Sequence, residues 1–129
     1  MQVTALAKGV RMSPRKVSLV ASLVRGRTVA DALVILEHTP KRAAKPVQKA
    51  IASAKANAVA NHKADANSLI IEHLTVTAGA RIKRFRPAAQ GRALPYQKKT
   101  SHIKVVLTGA EKPKKTEAKP AAAKAEKEA

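Results

Sequence analysis

Helical spacing of apolar residues fills the first half of the chain, and strand spacing takes over after residue 68. Ahead of the helices, Val3 to Val10 reads as a short strand. Val17, Val20, Ala21 and Val24 then recur at i, i+3, i+4 and i+7, the stripe of a helix with one buried face. Ser13 stands at the N-cap and Pro14 at the first helical position, where a missing N–H does no harm. Arg25 suits the last turn, and Gly26 the left-handed residue that ends it. A second helix opens on Thr28 and Asp31, a capping box, with Val29, Ala32, Leu33 and Leu36 along one face. Thr39-Pro40 ends it and caps a third pattern, Val47, Ala50, Ile51, Ala54 and Ala58, which runs to about Asn61. Pro46 sits inside that pattern. Either the helix begins near Lys45, or Pro46 kinks it by removing a bond to the Arg42 carbonyl.

Beyond the polar break from Asn61 to Ser68 the period becomes two. Leu69, Ile71, Leu74 and Val76 read as a strand with a phase slip near Glu72-His73, the mark of a bulge. Ser101 to Thr108 is a further strand, with Ile103, Val105 and Leu107 on one face. The segment between them, 79–100, is too long for a simple turn and predicts an extended hairpin. A turn at Gln90-Gly91 makes Phe85 and Tyr96 equidistant from the tip, candidates for a cross-strand or near-cross-strand pair. Pro87 and Pro95 lie nearer the tip, so the ladder there is expected to be incomplete and the hairpin marginal in water. With about ten residues on each side at ~3.3 Å per residue, the arm reaches on the order of 30 Å.

Composition sharpens this outline. A chain of 129 residues with 45% hydrophobic content supports one domain with length to spare, its core built from Ala, Val, Leu and Ile. The only two aromatic residues, Phe85 and Tyr96, are both in the arm. The formal net charge is +18, which calls for a polyanionic partner: nucleic acid, an anionic membrane or an acidic protein. Residues 1–110 hold four acids, Asp31, Glu37, Asp65 and Glu72; the tail 111–129 holds the other four among six lysines. That Ala/Lys/Glu/Pro tail lacks large apolar residues and is expected to be disordered, or transiently helical around Ala121 to Lys127. There is no cysteine, hence no disulfide framework or thiolate metal site. The longest apolar-rich run, Val17 to Val24, is far short of the ~20 residues that span a bilayer, and no targeting segment is visible. A soluble, cytoplasmic protein is expected.

Charge and aromatics converge on one stretch. Between His73 and Ala110 there is no acid, while Arg81, Lys83, Arg84, Arg86, Arg92, Lys98, Lys99 and Lys104 are all present. Cations neutralise phosphates and rings stack on bases, so this arm reads as an RNA-binding element rather than a solvated basic loop. Phe85 and Tyr96 stack either on bases or on each other and the stems of neighbouring arginines. Arg11, Arg15, Lys16 and Arg25 cluster around the first helix; Arg15 and Lys16 oppose its dipole unless a phosphate compensates. His102 serves either as an RNA contact or as a structural hydrogen-bonder. The histidines show no metal spacing, and a Cys nucleophile, a glycine-rich phosphate loop and a paired-acid cleft are all missing, so no enzyme, metal site or cofactor is expected. The rival reading is an architectural DNA-binding protein with prolines as intercalating wedges, which needs a dimer. A membrane-surface protein is disfavoured because the helices lack a lysine-rich face opposite the apolar one.

Four segments then carry a resemblance over about residues 3–109. They are Met12-Ser13-Pro14-Arg15-Lys16-Val17 continuing to Gly26; Ser53-Ala54 with Ala56-Asn57-Ala58 and Asn61-His62; Lys83-Arg84 with Pro87 and Gly91-Arg92-Ala93; and Lys98-Lys99-Thr100-Ser101-His102-Ile103. In order and spacing they resemble the bacterial ribosomal protein L-twenty-two family, the universal large-subunit protein twenty-two. Ala88 and Lys99 stand where the family commonly has arginine, and Thr77-Ala78 lacks a usual acid. A lysine does not reproduce a bidentate guanidinium contact. The resemblance implies an α+β fold: three helices packed on a small antiparallel sheet, with a long protruding β-hairpin, the whole in the 50S subunit of the cytoplasm. It implies a body over 1–110 that includes the arm 79–100. It implies 23S rRNA as partner, contacted by Arg11, Arg15, Lys16, Arg25, Arg81, Lys83, Arg84, Phe85, Arg86, Arg92, Tyr96, Lys98, Lys99, Ser101 and His102. The tip, Ala88, Ala89, Gln90, Gly91, Arg92 and Ala93, is expected to line the nascent-chain exit tunnel, with ribosomal protein four across it.

Overall fold

The structure, a computed structural model, describes residues 1–109. The tail 111–129, for which disorder is expected, lies outside the described residues. Strands β1 (Gln2–Val10) and β2 (Ile70–Pro87) flank β3 (Ala93–Thr108), and every pairing is antiparallel. Between β1 and β2 run α1 (Pro14–Val24), α2 (Val29–His38) and α3 (Ala44–His62), which pack onto the sheet. The fold is α+β, with three helices on a three-stranded sheet and a long β2–β3 hairpin.

The buried stripes are those the periodicity marks. In α1 they are Val17, Val20, Ala21 and Val24, all fully buried. Ile103, Val105 and Leu107 of β3 meet them from the central strand, joined by Ile71 and Leu74 of β2 and Val3 of β1. Each such Val, Leu or Ile contributes about 1.5–3 kcal/mol by leaving water. The buried face of α3 is largely alanine (Ala44, Ala50, Ala54, Ala58) around Val47 and Ile51, which lets this helix lie close to its neighbours. The α1–α2 link is stitched to the start of β2: Gly26 N–H donates to Ile71 O, Ile71 N–H to Arg27 O, and Val29 N–H to Leu69 O, each at 3.0 Å.

Helix boundaries bring three adjustments. Ser13 precedes α1, but its side chain makes no capping bond; its carbonyl accepts from Lys16 and Val17 N–H instead. The Thr28 hydroxyl accepts from Asp31 N–H at 3.3 Å and donates to Asp31 Oδ2 at 2.7 Å, so the box closes on the hydroxyl. Thr39 does not cap α3; its hydroxyl donates back to Ile35 O at 2.6 Å, and α3 starts after Ala43. Pro46 therefore lies in the first turn of α3, where its absent N–H had no partner to lose and Arg42 is still outside the helix. The kink alternative is excluded.

Two bulges in β2 set which side chains face the helices. Between Ile71 and His73 the register slips at Glu72, so the inward set passes from Ile71 to Leu74. Between Ala78 and Arg81 it slips again, with Gly79 and Ala80 opposite Thr100. The Thr100 hydroxyl donates to Ala80 O at 2.7 Å. A Cβ on Gly79 would lie 2.5 Å from Thr100 Oγ1 and 3.1 Å from His102 Cε1, so any larger residue here must push the Thr100 side chain aside. β1 leaves the sheet at this level: its last pair is Val10 with Ser101, after a bulge at Lys8-Gly9. Beyond it the hairpin is two-stranded with both edges open.

Candidate nucleic-acid interface

The hairpin stays paired to Pro87 and Ala93 and turns through a 3-10 segment, Ala89–Gly91. Gln90 and Gly91 both take left-handed backbone, with φ of 58° and 66°. Ala88 N–H donates to Arg92 O at 2.8 Å. Counting back from that bond, the hydrogen-bonded pairs are the even-numbered ones, such as Arg86 with Leu94. Pro87 and Pro95 thus occupy positions whose N–H would point outward. The expected break in the tip ladder does not occur, because the prolines remove donors from the open edges only.

The expected Phe85–Tyr96 pair is also corrected. Phe85 faces Pro95 and Tyr96 faces Arg84, so the rings lie on opposite faces of the ribbon. The turn is an odd-numbered loop centred on Gln90, and the shift of half a residue separates them. The Tyr96 ring carries the Arg86 guanidinium, 4.8 Å from its centroid. Phe85 remains 72% exposed.

Arg81, Lys83, Arg84, Arg86, Arg92, Lys98 and Lys99 are all exposed along the arm. The tip, Ala88 to Ala93, offers small side chains around Gln90 and Arg92. Among the described residues the one ion-pair geometry joins His73 to Glu72 at 3.8 Å, so no Lys or Arg there sits within ion-pair distance of a carboxylate. Such a surface repels itself until a polyanion covers it.

Where the arm leaves the body, a groove of about 730 Å³ opens between the start of α1, the α2–α3 link and the base of the hairpin. Arg11, Lys16, Lys41, Arg42, Lys98 and Lys99 ring it, Met12, Leu19, Ala43 and Ile82 supply apolar lining, and no acid lines it. The structure thus joins four predicted cations, Arg11, Lys16, Lys98 and Lys99, from distant parts of the chain. Lys41 and Arg42 are additions that the sequence reading passed over. Their signal was the one used for Arg15 and Lys16, cations without acids at a helix start, since the first turn of α3 has no acid either.

Other predicted residues fall elsewhere. Arg15 is exposed on a shallow depression with Ser18, Leu19 and Ser22. Arg25 caps the far end of α1, its Nε donating to Leu74 O at 3.0 Å, which gives the side chain a structural task. Ser101 is fully buried, with its hydroxyl among the inward side chains of β3 and lacking a partner, so it is not on the surface an RNA would meet. His102 accepts the Gly9 N–H on Nδ1 at 3.0 Å and pins the β1 bulge, the hydrogen-bonding role weighed for it.

Residues 5–108 match the family described as Ribosomal protein L22p/L17e. The chain is 53% identical over 108 residues to the Large ribosomal subunit protein uL22 of Oceanobacillus iheyensis, covering 84% of this chain and 96% of that protein.

Proposed function

This chain belongs to the Ribosomal protein L22p/L17e family, and from that membership and its unpaired cationic surface we propose that it docks on 23S rRNA and threads its arm into folded RNA. It is a structural constituent of the large ribosomal subunit. The body binds through the groove cations and Arg15. The arm carries cations on both faces, Arg81, Lys83 and Lys99 on one, Arg84, Arg86 and Lys98 on the other, as an element surrounded by phosphates requires. By binding RNA segments at both ends it aids subunit assembly. The tip lines the polypeptide exit tunnel opposite ribosomal protein four; its small side chains leave room for a passing chain.

The observation that carries this reading is the absence of any carboxylate partner for the described Lys and Arg side chains. Filter binding to 23S rRNA over a salt series tests it: affinity should fall steeply with salt and exceed that for duplex DNA. Equal or tighter binding to duplex DNA by a dimer would overturn it. The chain has no cysteine, so Gln90→Cys accepts a single photocrosslinker. In stalled ribosomes it should attach to nascent chains; attachment to rRNA alone would remove the tip from the tunnel wall.

A further inference from the structure

The groove beneath the arm is more than a basic patch. Its rim is cationic and its lining includes Met12, Leu19, Ala43 and Ile82, with Leu19 65% exposed in the free chain. Phosphate neutralisation alone requires no apolar floor. A duplex offers phosphates outward and keeps its bases stacked inside, so it would leave that floor uncovered. A protein partner complementary to this rim would have to be acidic. An unpaired nucleotide satisfies both halves at once, with its phosphates on the rim and its base on the floor. Arg11 and Arg42 supply planar guanidinium groups against which a base stacks. The start of α1 adds a smaller signal: Ser13 lines the groove without a side-chain cap, Pro14 has no N–H and the Ser13 carbonyl takes those of Lys16 and Val17, so the Arg15 N–H alone is left for a phosphate.

We infer that this groove holds an extruded nucleotide of single-stranded RNA, and that the bound nucleotide clamps the arm to the body. The inference rests on the rRNA reading above and adds an occupant to one part of it. The clamp acts because the lining comes from both sides of the arm's base. Arg11, Lys16, Lys41 and Arg42 belong to the body, whereas Ile82, Gln97, Lys98 and Lys99 belong to the hairpin. The pivot lies between them at the Gly79-Ala80 bulge, where β1 has already ended.

Chemical footprinting of 23S rRNA with the full-length chain provides the test, with Leu19→Glu altering the floor and the double variant Lys41→Glu/Arg42→Glu altering the rim. All of these positions are exposed, and circular dichroism melts check that each variant folds. With the unaltered chain, at least one unpaired nucleotide should be protected at its base edge as well as its backbone. Leu19→Glu should abolish the base protection and weaken binding about fivefold or more, the low end for one stacked base. The double variant should lower the salt slope by about two, while protections at the arm tip persist under both. Unchanged protections in both variants, or protection of backbone alone, would overturn the inference and leave the rRNA reading intact. A loss seen only when other large-subunit proteins are present would assign the groove to a protein instead. Failure of the unaltered chain to bind 23S rRNA would defeat the broader reading.

Discussion

The same two strands run through both halves of this molecule under opposite rules. Below the Gly79-Ala80 bulge, β2 and β3 alternate buried and exposed side chains against three helices, and burial holds them. Above it, none of residues 79–99 is buried, and the ribbon rests on backbone hydrogen bonds and a few side-chain pairs. The body's sequence is constrained by volume, the arm's by charge. Two-stranded ribbons are marginal in water, so the arm's shape depends on whatever surrounds it, whereas the body's does not.

Removing the arm gives the largest effect. Deleting residues 81–99 takes away seven exposed cations and no buried residue. Thermal unfolding of the body, followed by circular dichroism, should barely move. The slope of log affinity for 23S rRNA against log salt should fall by up to about 5, if each cation contacts one phosphate. Binding at low salt should persist through the body's own cations, Arg11, Arg15, Lys16, Lys41 and Arg42. A body that no longer folds, or loses all rRNA binding, would erase the division between the halves.

Core truncation comes next. Ile103 is fully buried on the central strand, and Ile103→Ala should lose about 2–5 kcal/mol in urea unfolding. Ile82, half-buried at the base of the arm, should lose under about 1 kcal/mol when cut to alanine. Equal losses would mean that the arm is as firmly packed as the body.

The junction is intermediate. A methyl group on Gly79 displaces the Thr100 hydroxyl and its bond to Ala80 O, so Gly79→Ala should destabilise by about 1 kcal/mol and turn the arm relative to the body. Thr100→Ala removes the obstructing hydroxyl, so the double variant should be less destabilised than the sum of the two singles. Additive losses would show that the close approach does not fix the arm's direction.

These contrasts explain what was legible in the sequence. Helix stripes were, because Val17 to Val24 must face one way to be buried, and so was the slip at Glu72, because burial makes period two visible. In the arm nothing is buried, so the pattern carries no register, and Phe85 and Tyr96 were paired where half a residue decides. The prolines were assigned a broken ladder for the same reason: which way an N–H points depends on loop parity, which Gln90 sets by its left-handed backbone. Lys41 and Arg42 carry the local sign of cations at an acid-free helix start, but that they join this groove follows from the α2–α3 link folding back beside the hairpin, a tertiary fact. Ser101 stands among the rRNA contacts only through the resemblance, and its place on the inward face of β3 follows from the odd-numbered phase it shares with Ile103.

The smallest expected effect sharpens the comparison most. The chain has one tyrosine and no tryptophan, and Tyr96 lies in the arm, so tyrosine fluorescence follows the arm alone while helical circular dichroism follows the body. If the halves obey different rules, the two signals melt separately, the arm at lower temperature, which departs from a single two-state transition. Arg86 over the Tyr96 ring is worth about 0.5–1 kcal/mol at an exposed site. Arg86→Gln should therefore shift the Tyr96 transition by that amount and leave the helical one in place. Because Arg86 pairs with Leu94 in the distal ribbon and its guanidinium lies over Tyr96 of the same ribbon, the change should stay in the arm. Coincident transitions in the unaltered chain, or a helical transition that moves with Arg86→Gln, would show that arm and body fold as one unit.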